Sequence, residues 1–255
     1  MTSASAQGGR SHQEDRAVFE WIETNAVSGW LLAVFDGHRG AASAEQAAQG
    51  LRSLFVERLT AQRGDAASAL RDVFTALNDL TREYVSGSTA SVVFIPADAK
   101  VATLAVLGDS PIVILDARGN AHFGPDHNVR TNLNERAAAE ARGGVYRSGY
   151  LEDGQLPGVG LQMARSLGDA DLSRVLDRAP EVETVPLGGQ GIVLVGTDGL
   201  LSPGGTANSD QLGRLLALIQ EGAGAKEIVT DALARGTGDN VTAIVWRLKG
   251  TVSGE

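Results

Sequence analysis

The chain has 255 residues, 43% of them apolar and 21% charged, a balance that suits one large domain with a substantial core and gives no sign of disorder. Its formal net charge of -9 comes without any cluster of Lys and Arg, which argues against a nucleic-acid surface. With no cysteine in the sequence, disulfides, thiolate nucleophiles and cysteine-held zinc are excluded together, so any metal must be held by oxygen or imidazole.

The first residues, "MTSASAQGG", are small and polar and lack the apolar stretch of a signal peptide. No apolar segment approaches the ~20 residues that span a bilayer. The expectation is a cytoplasmic protein with no membrane partner. "AVFEWIE" and "GWLLAVFD" then read as two strands separated by the polar segment around Asn25. Helical spacing follows, at Ala47, Leu51, Leu54, Phe55 and Leu59, and again at Leu70, Val73, Phe74, Leu77 and Tyr84 beyond the breaker Arg63-Gly64-Asp65. Three β-rich runs come next, "ASVVFIP", "KVATLAVLG" and "PIVILDARGNAHF". Their connections are too short for parallel crossovers, so they are expected to be antiparallel neighbours.

A helix is expected from Asn132 to Arg142, stopped by Gly143-Gly144. The weakly patterned stretch from Val145 to Gly191 is read as loops bordering a site. After it come the strand "GIVLVGT", a helix with Leu212, Leu215, Leu216 and Ile219 on one face, another around Ile228 to Leu233, and a last strand "NVTAIVWRL". Grouped helices between groups of antiparallel strands make the α+β pattern, with two sheets packed together and helices outside. No repeat or linker divides the chain, so residues 1–255 are expected to form a single domain.

Chemistry is concentrated where the strands stop. Asp36 in "LLAVFDGHRG", Asp109 in "TLAVLGDSP", Asp198 in "GIVLVGTDGLLS" and Asp239 in "GTGDNVTAIVWRL" all sit beside apolar runs, and Glu14 and Asp15 precede the first of them. Like charges gather at a dry site only where cations neutralise them. Carboxylates, carbonyls and waters suit Mg2+ or Mn2+ better than zinc. Asp36 is the candidate to bridge two ions, because Gly37 has no side chain to obstruct its own carbonyl from ligating the second. Asp198 and Asp239 would complete one shell, and Glu14 and Asp15 would serve the other. A water bridging such a pair is acidified enough to supply hydroxide near neutral pH, and the sequence offers no GxSxG elbow, P-loop or HExxH motif in its place. Arg10 could grip phosphate oxygens and His38 could protonate a departing alkoxide. Taken singly, an Asp-Gly pair is a common turn and a lone His or Arg a surface group; the ordered set is what carries the signal.

That set resembles the metal-dependent serine/threonine protein phosphatases of type 2C. The resembling segments run through nearly the whole chain: "GRSHQED", "VFDGHRG", "GSTASVVFI" at Gly87 to Ala90, "LGDSP", "DHNVRTNLNERAAAEARGG", "LQMARSLGDADL", "TDGLLS" and "GDNVTAIVW". The resemblance implies a four-layer α-β-β-α sandwich with a two-metal centre at one end, acting on phosphoserine and phosphothreonine in proteins. It implies that Asp36 bridges the ions, that Glu14 and the Gly37 carbonyl serve one, and that Asp198 and Asp239 serve the other. Asp15 takes a supporting acidic position, Arg10 binds phosphate, His38 is the general acid, and Asp109 with Asp198 holds a weaker third ion. Phosphoproteins are the expected substrates, a Ser/Thr kinase the expected counterpart, and a monomer the expected state. Two departures stand out: Pro111 where the family has arginine, and Ser202 where it has a second aspartate. The second implies a weaker third ion. The competing reading is a catalytically weak, phosphatase-like regulator that binds phosphoproteins.

Overall fold

The computed structural model describes residues 1–202 and 206–248. The fold is mixed α+β, with helices and antiparallel sheets. One five-stranded sheet takes the order Thr2–Ala6, Val241–Arg247, Gly191–Gly196, Ile112–Asp116, Ala121–Phe123, and the other Glu181–Pro186, Val101–Leu107, Ala90–Pro96, Ser28–Phe35, Arg16–Glu23. Every pairing in both sheets is antiparallel. Among the described residues there are five α-helices: α1 Ala42–Ala61, α2 Ala66–Thr81, α3 Leu133–Ala141, α4 Ser209–Gln220 and α5 Ala225–Ala234. None is long and apolar enough to cross a membrane.

The unbroken apolar run "WLLAVF" is explained by cover on both faces of its strand. Leu31, Ala33 and Phe35 join Val92 and Phe94 beneath α1 and α2, in a cluster with Leu51, Phe55, Leu70 and Phe74. The alternate residues Leu32 and Val34 point the other way, into a cluster with Val93, Ile95, Ile114, Val195 and Ile244 that fills the space between the sheets. A period of two therefore serves two cores at once. Val113, Leu194 and Val245, on the outer face of the first sheet, pack against Leu215 and Ile219 of α4 and Ile228 of α5. Between α1 and α2 the chain turns through Arg63 and Gly64 at positive φ, and the Asp65 side chain caps α2 by accepting from the Ala67 and Ser68 amides.

Two expectations are corrected. The Gly108-to-Pro111 connection does not join neighbours: Val101–Leu107 lies in one sheet and Ile112–Asp116 in the other. Gly108 turns at φ +111°, its missing side chain leaving room for Thr89, and the chain crosses between the sheets there. The stretch from Val145 onward contains a three-stranded antiparallel sheet, Gly144–Arg147, Tyr150–Asp153 and Leu156–Leu161, and the edge strand Glu181–Pro186. Exposed Arg147, Tyr150 and Leu156 and buried Asp153 mask the alternation there, while Leu151 and Leu161 pack with Ala139 and Leu172. Thr2–Ala6, for which no element was expected, is also a strand, paired with Val241–Arg247.

Candidate metal centre

Asp36 immediately follows Phe35 at the end of Ser28–Phe35, where its amide donates to Thr89 Oγ1 at 3.1 Å and its carbonyl accepts from the Thr89 amide at 2.9 Å. Asp109 lies on the crossing between sheets, Asp198 just past Gly191–Gly196, and Asp239 just before Val241–Arg247. The four carboxylates, with Arg10, Gly37 and His38, line one cavity of about 260 Å³ whose wall is completed by Tyr150 and residues 160–163. The folding logic is common to all four, since each apolar strand ends in the same region and leaves its terminal acid at the rim.

Electrostatics set the character of the cavity. Burial, then repulsion from Asp15, Asp198, Asp239 and Asp109, holds the Asp36 carboxyl well above the usual range. Burial, followed by the charges of Asp109 and Asp239, does the same to Asp198. Asp109 is pushed up to about 7, chiefly by burial and then by Asp126. Its Oδ2 accepts from Asn128 Nδ2 at 2.7 Å, while its buried Oδ1 has no hydrogen-bond partner. A carboxylate lattice of this kind is short of positive charge, and its all-oxygen donor set matches a hard divalent cation. In the metal-free geometry, among the described residues, no three His, Asp or Glu side chains form a ready ligand cluster. Arg10 engages Asp239, with Nη2 to Oδ2 at 2.7 Å.

Two expected ligands lie outside the cavity lining. Asp15 is buried behind it, its Oδ2 accepting from Thr242 Oγ1 at 2.7 Å and Thr197 Oγ1 at 3.1 Å. Its Oδ1 has no partner, and burial raises its carboxyl to about 6. Glu14 presents its backbone to the site: a Cβ on Gly37 would come within 2.5 Å of the Glu14 carbonyl oxygen. Gly37 is thus needed because the Glu14 backbone passes so close, a steric reason not visible in the sequence.

The N-terminal segment is fastened to the last strand. Asn240 donates through Nδ2 to the Gln7 and His12 carbonyls and accepts the Glu14 amide on Oδ1, each at 2.8 Å. A Cβ on Gly8, which sits at φ +59°, would overlap the Asp239 carbonyl oxygen. These contacts place Arg10 over Asp239. Ser202 sits at the edge of the same region, its hydroxyl donating to Thr237 Oγ1 at 2.7 Å. Pro111 accepts the Gly196 amide on its carbonyl at 3.0 Å.

His38 has a partner that sequence reasoning missed. Its Nε2 lies 2.8 Å from Oδ2 of Asp169, a fully buried residue in left-handed conformation at φ 47°. Asp169 also accepts from Ser166 Oγ at 2.6 Å and from Arg39 at 3.3 Å. The signal lay in "SLGDADL", a resembling segment to which no role was given. Asn128 and Asn240 were likewise hidden inside quoted motifs.

The α+β fold thus brings strand-end acids and an arginine around one cavity. The model of the family described as protein phosphatase 2C matches residues 1–241, and the chain belongs to that family. A "Probable protein phosphatase 2C 59" of Arabidopsis thaliana is 30% identical over 96% of this chain and 78% of its own length. A "Protein kinase and PP2C-like domain-containing protein" of the same plant is 30% identical over 95% of this chain, which spans 38% of that relative. Among solved structures, a sex-determining protein of C. elegans superposes with TM-score 0.77 at 25% identity, over 97% of this chain and 64% of the other. The fold is shared with a serine-threonine phosphatase 2C of Toxoplasma gondii, TM-score 0.76 at 22% identity over 97% and 94% of the two chains.

Proposed function

We propose that the protein is a Mg2+- or Mn2+-dependent phosphatase that hydrolyses phosphoserine and phosphothreonine in proteins. One observation carries this reading: Asp36, Asp109, Asp198 and Asp239 reach a single cavity beside Arg10 and His38. Asp36, the Gly37 carbonyl, Glu14, Asp198 and Asp239 would hold two ions, Asp15 would support them from behind, and Asp109 would contribute to a weaker third. When bound, the ions neutralise phosphoryl charge and acidify the attacking water. Arg10 turns its planar fork from Asp239 to the phosphate oxygens. His38 holds a proton beside the oxygen that leaves phosphorus. The walls at Tyr150, Leu161 and Met163 limit water and contact the substrate around its phosphorylated residue.

The test is hydrolysis of phosphothreonine and phosphoserine peptides with added Mn2+, against chelator-treated protein. Turnover that survives chelation sinks the reading. The competing reading, a regulator that binds phosphoproteins without turnover, is favoured by the Arg10–Asp239 pair, which already occupies one ligand. Phosphopeptide binding with no release of phosphate at saturating Mn2+ would support it instead. A Ser/Thr kinase that writes the phosphate this protein removes is the expected counterpart; one relative's name joins the two activities in one chain.

A further inference from the structure

Every other neighbour of the Asp169 carboxylate donates to it. Ser166 Oγ donates to Oδ2 at 2.6 Å, and Arg39 to Oδ1 at 3.3 Å. Arg39 is itself held by Asp171. Oδ2 is therefore an acceptor, and the 2.8 Å contact with His38 requires the imidazole to carry its hydrogen on Nε2. Among the described residues Nδ1 has no hydrogen-bond partner, and His38 lines the cavity of the strand-end acids. The arrangement is built tightly. A Cβ on Gly87 would overlap both Asp169 Oδ2 and His38 Nε2. The backbone of Asp169 is pinned as well, its amide donating to the Ser86 carbonyl at 3.1 Å and its own carbonyl accepting from Arg178 at 3.3 Å. A fully buried carboxylate held in left-handed backbone, with a glycine cleared above it, has its geometry fixed by the fold.

We propose that Asp169 is the positioning residue of the reaction: it locks His38 as the Nε2–H form and so makes Nδ1 the nitrogen that serves the leaving oxygen. This rests on the phosphatase reading above. As water oxygen bonds to phosphorus, the bond from phosphorus to the threonine or serine oxygen breaks, and its electron pair stays on that oxygen. The oxygen takes the proton from Nδ1 of the doubly protonated ring. The neutral ring keeps its Nε2–H on Asp169, the attacking water releases one proton to solvent, and solvent restores the proton on Nδ1 for the next turnover. A hydrogen-bonded carboxylate that fixes the tautomer and orientation of a proton-transferring histidine is a general device.

The experiment combines a spectrum with a leaving-group comparison. Asn is isosteric with Asp and tolerates left-handed backbone, so Asp169→Asn is the variant, compared with His38→Gln and the double variant. Nitrogen-15 NMR of the imidazole in the metal-free wild-type protein is expected to show the neutral ring protonated on Nε2, a preference lost in Asp169→Asn. With Mn2+, turnover is compared on a phosphothreonine peptide, whose alkoxide needs a proton, and on p-nitrophenyl phosphate, whose phenolate does not. The ratio of the two kcat values is expected to fall by on the order of tenfold or more in Asp169→Asn, by the same factor in His38→Gln, and no further in the double variant. A wild-type ring protonated on Nδ1 overturns the positioning assignment by itself. So does an equal loss on both substrates, or a double variant whose losses add. Wild-type protein inactive on both substrates overturns the phosphatase reading and the catalytic sense of the pair with it, while the spectrum still decides whether Asp169 holds the ring.

Discussion

Arg10 and Asp239 lie 229 residues apart in sequence and 2.7 Å apart in space. The side chain expected to bind phosphate is paired with one expected to bind metal. On the proposed function, ion entry and substrate entry are linked, because each would draw one partner of the pair away from the other.

Replacing Arg10 separates the two effects. Arg10→Gln removes a cation from the rim and frees Asp239, so Mn2+ affinity measured by titration calorimetry is expected to rise by up to about fivefold, the range of an exposed ion pair. The KM for phosphopeptide is expected to rise on the order of tenfold as the bidentate grip is lost. Unchanged affinity for Mn2+ would show that the pair exerts no hold on the ligand.

Asp36 is raised by burial and then by repulsion from Asp15, Asp198, Asp239 and Asp109, and it is the residue assigned to both ions. Asp36→Ala is expected to lower the number of Mn2+ ions bound in calorimetry and to cut turnover by on the order of 10³-fold, several kcal/mol of charge stabilisation. Circular dichroism should be unchanged, because the removed carboxylate burdens the metal-free fold.

Asp15 gives a pH signature without metal. Its carboxyl is raised to about 6, above the ~3.9 of an unfolded aspartate. The native state holds this proton more tightly, so the stability Asp15 contributes is fully present near pH 4 and is lost as pH rises through about 6. In chelator-treated protein, Asp15→Asn is therefore expected to gain on wild type by about 2 kcal/mol between pH 4 and pH 7. Urea unfolding at several pH values measures the gap. A gap that shrinks toward neutral pH would contradict the assignment.

Gly37→Ala would press a methyl group onto the Glu14 backbone at 2.5 Å. Because the obstacle is main chain, the expected cost is about 1–3 kcal/mol of stability, read as a lowered Tm. Weaker Mn2+ binding should accompany it, as residues 14 and 37 are pushed apart.

Where two cores or a strand-end acid wrote a clear pattern, the sequence was legible. The run ending at Asp36 announced a strand buried on both faces, and the four aspartates that close or open such runs share one cavity. Legibility failed where pairing partners are distant or alternation is masked. Nothing local in Gly108 to Pro111 distinguishes a hairpin from a crossing between sheets, since the difference lies in what each flanking strand finds to pair with. Thr2–Ala6 has only small and polar side chains and so writes no apolar pattern, although Ala4 and Ala6 pack on the outer core and Ser5 meets Thr242 at 3.0 Å. Asp169 was concealed for another reason: its role depends on His38, 131 positions away, and a single buried carboxylate in a turn carries no period to detect.

The stapling of Gln7, His12 and Glu14 to Asn240 bears on how the molecule is made. A ribosome would deliver Arg10 and Asp36 long before Asp239, so most of the scaffold could collapse while its reactive end still lacked a side. Competence would arrive only as Val241–Arg247 slid into place, and a product halted before Asp239 would carry most of the apolar residues yet stay inert.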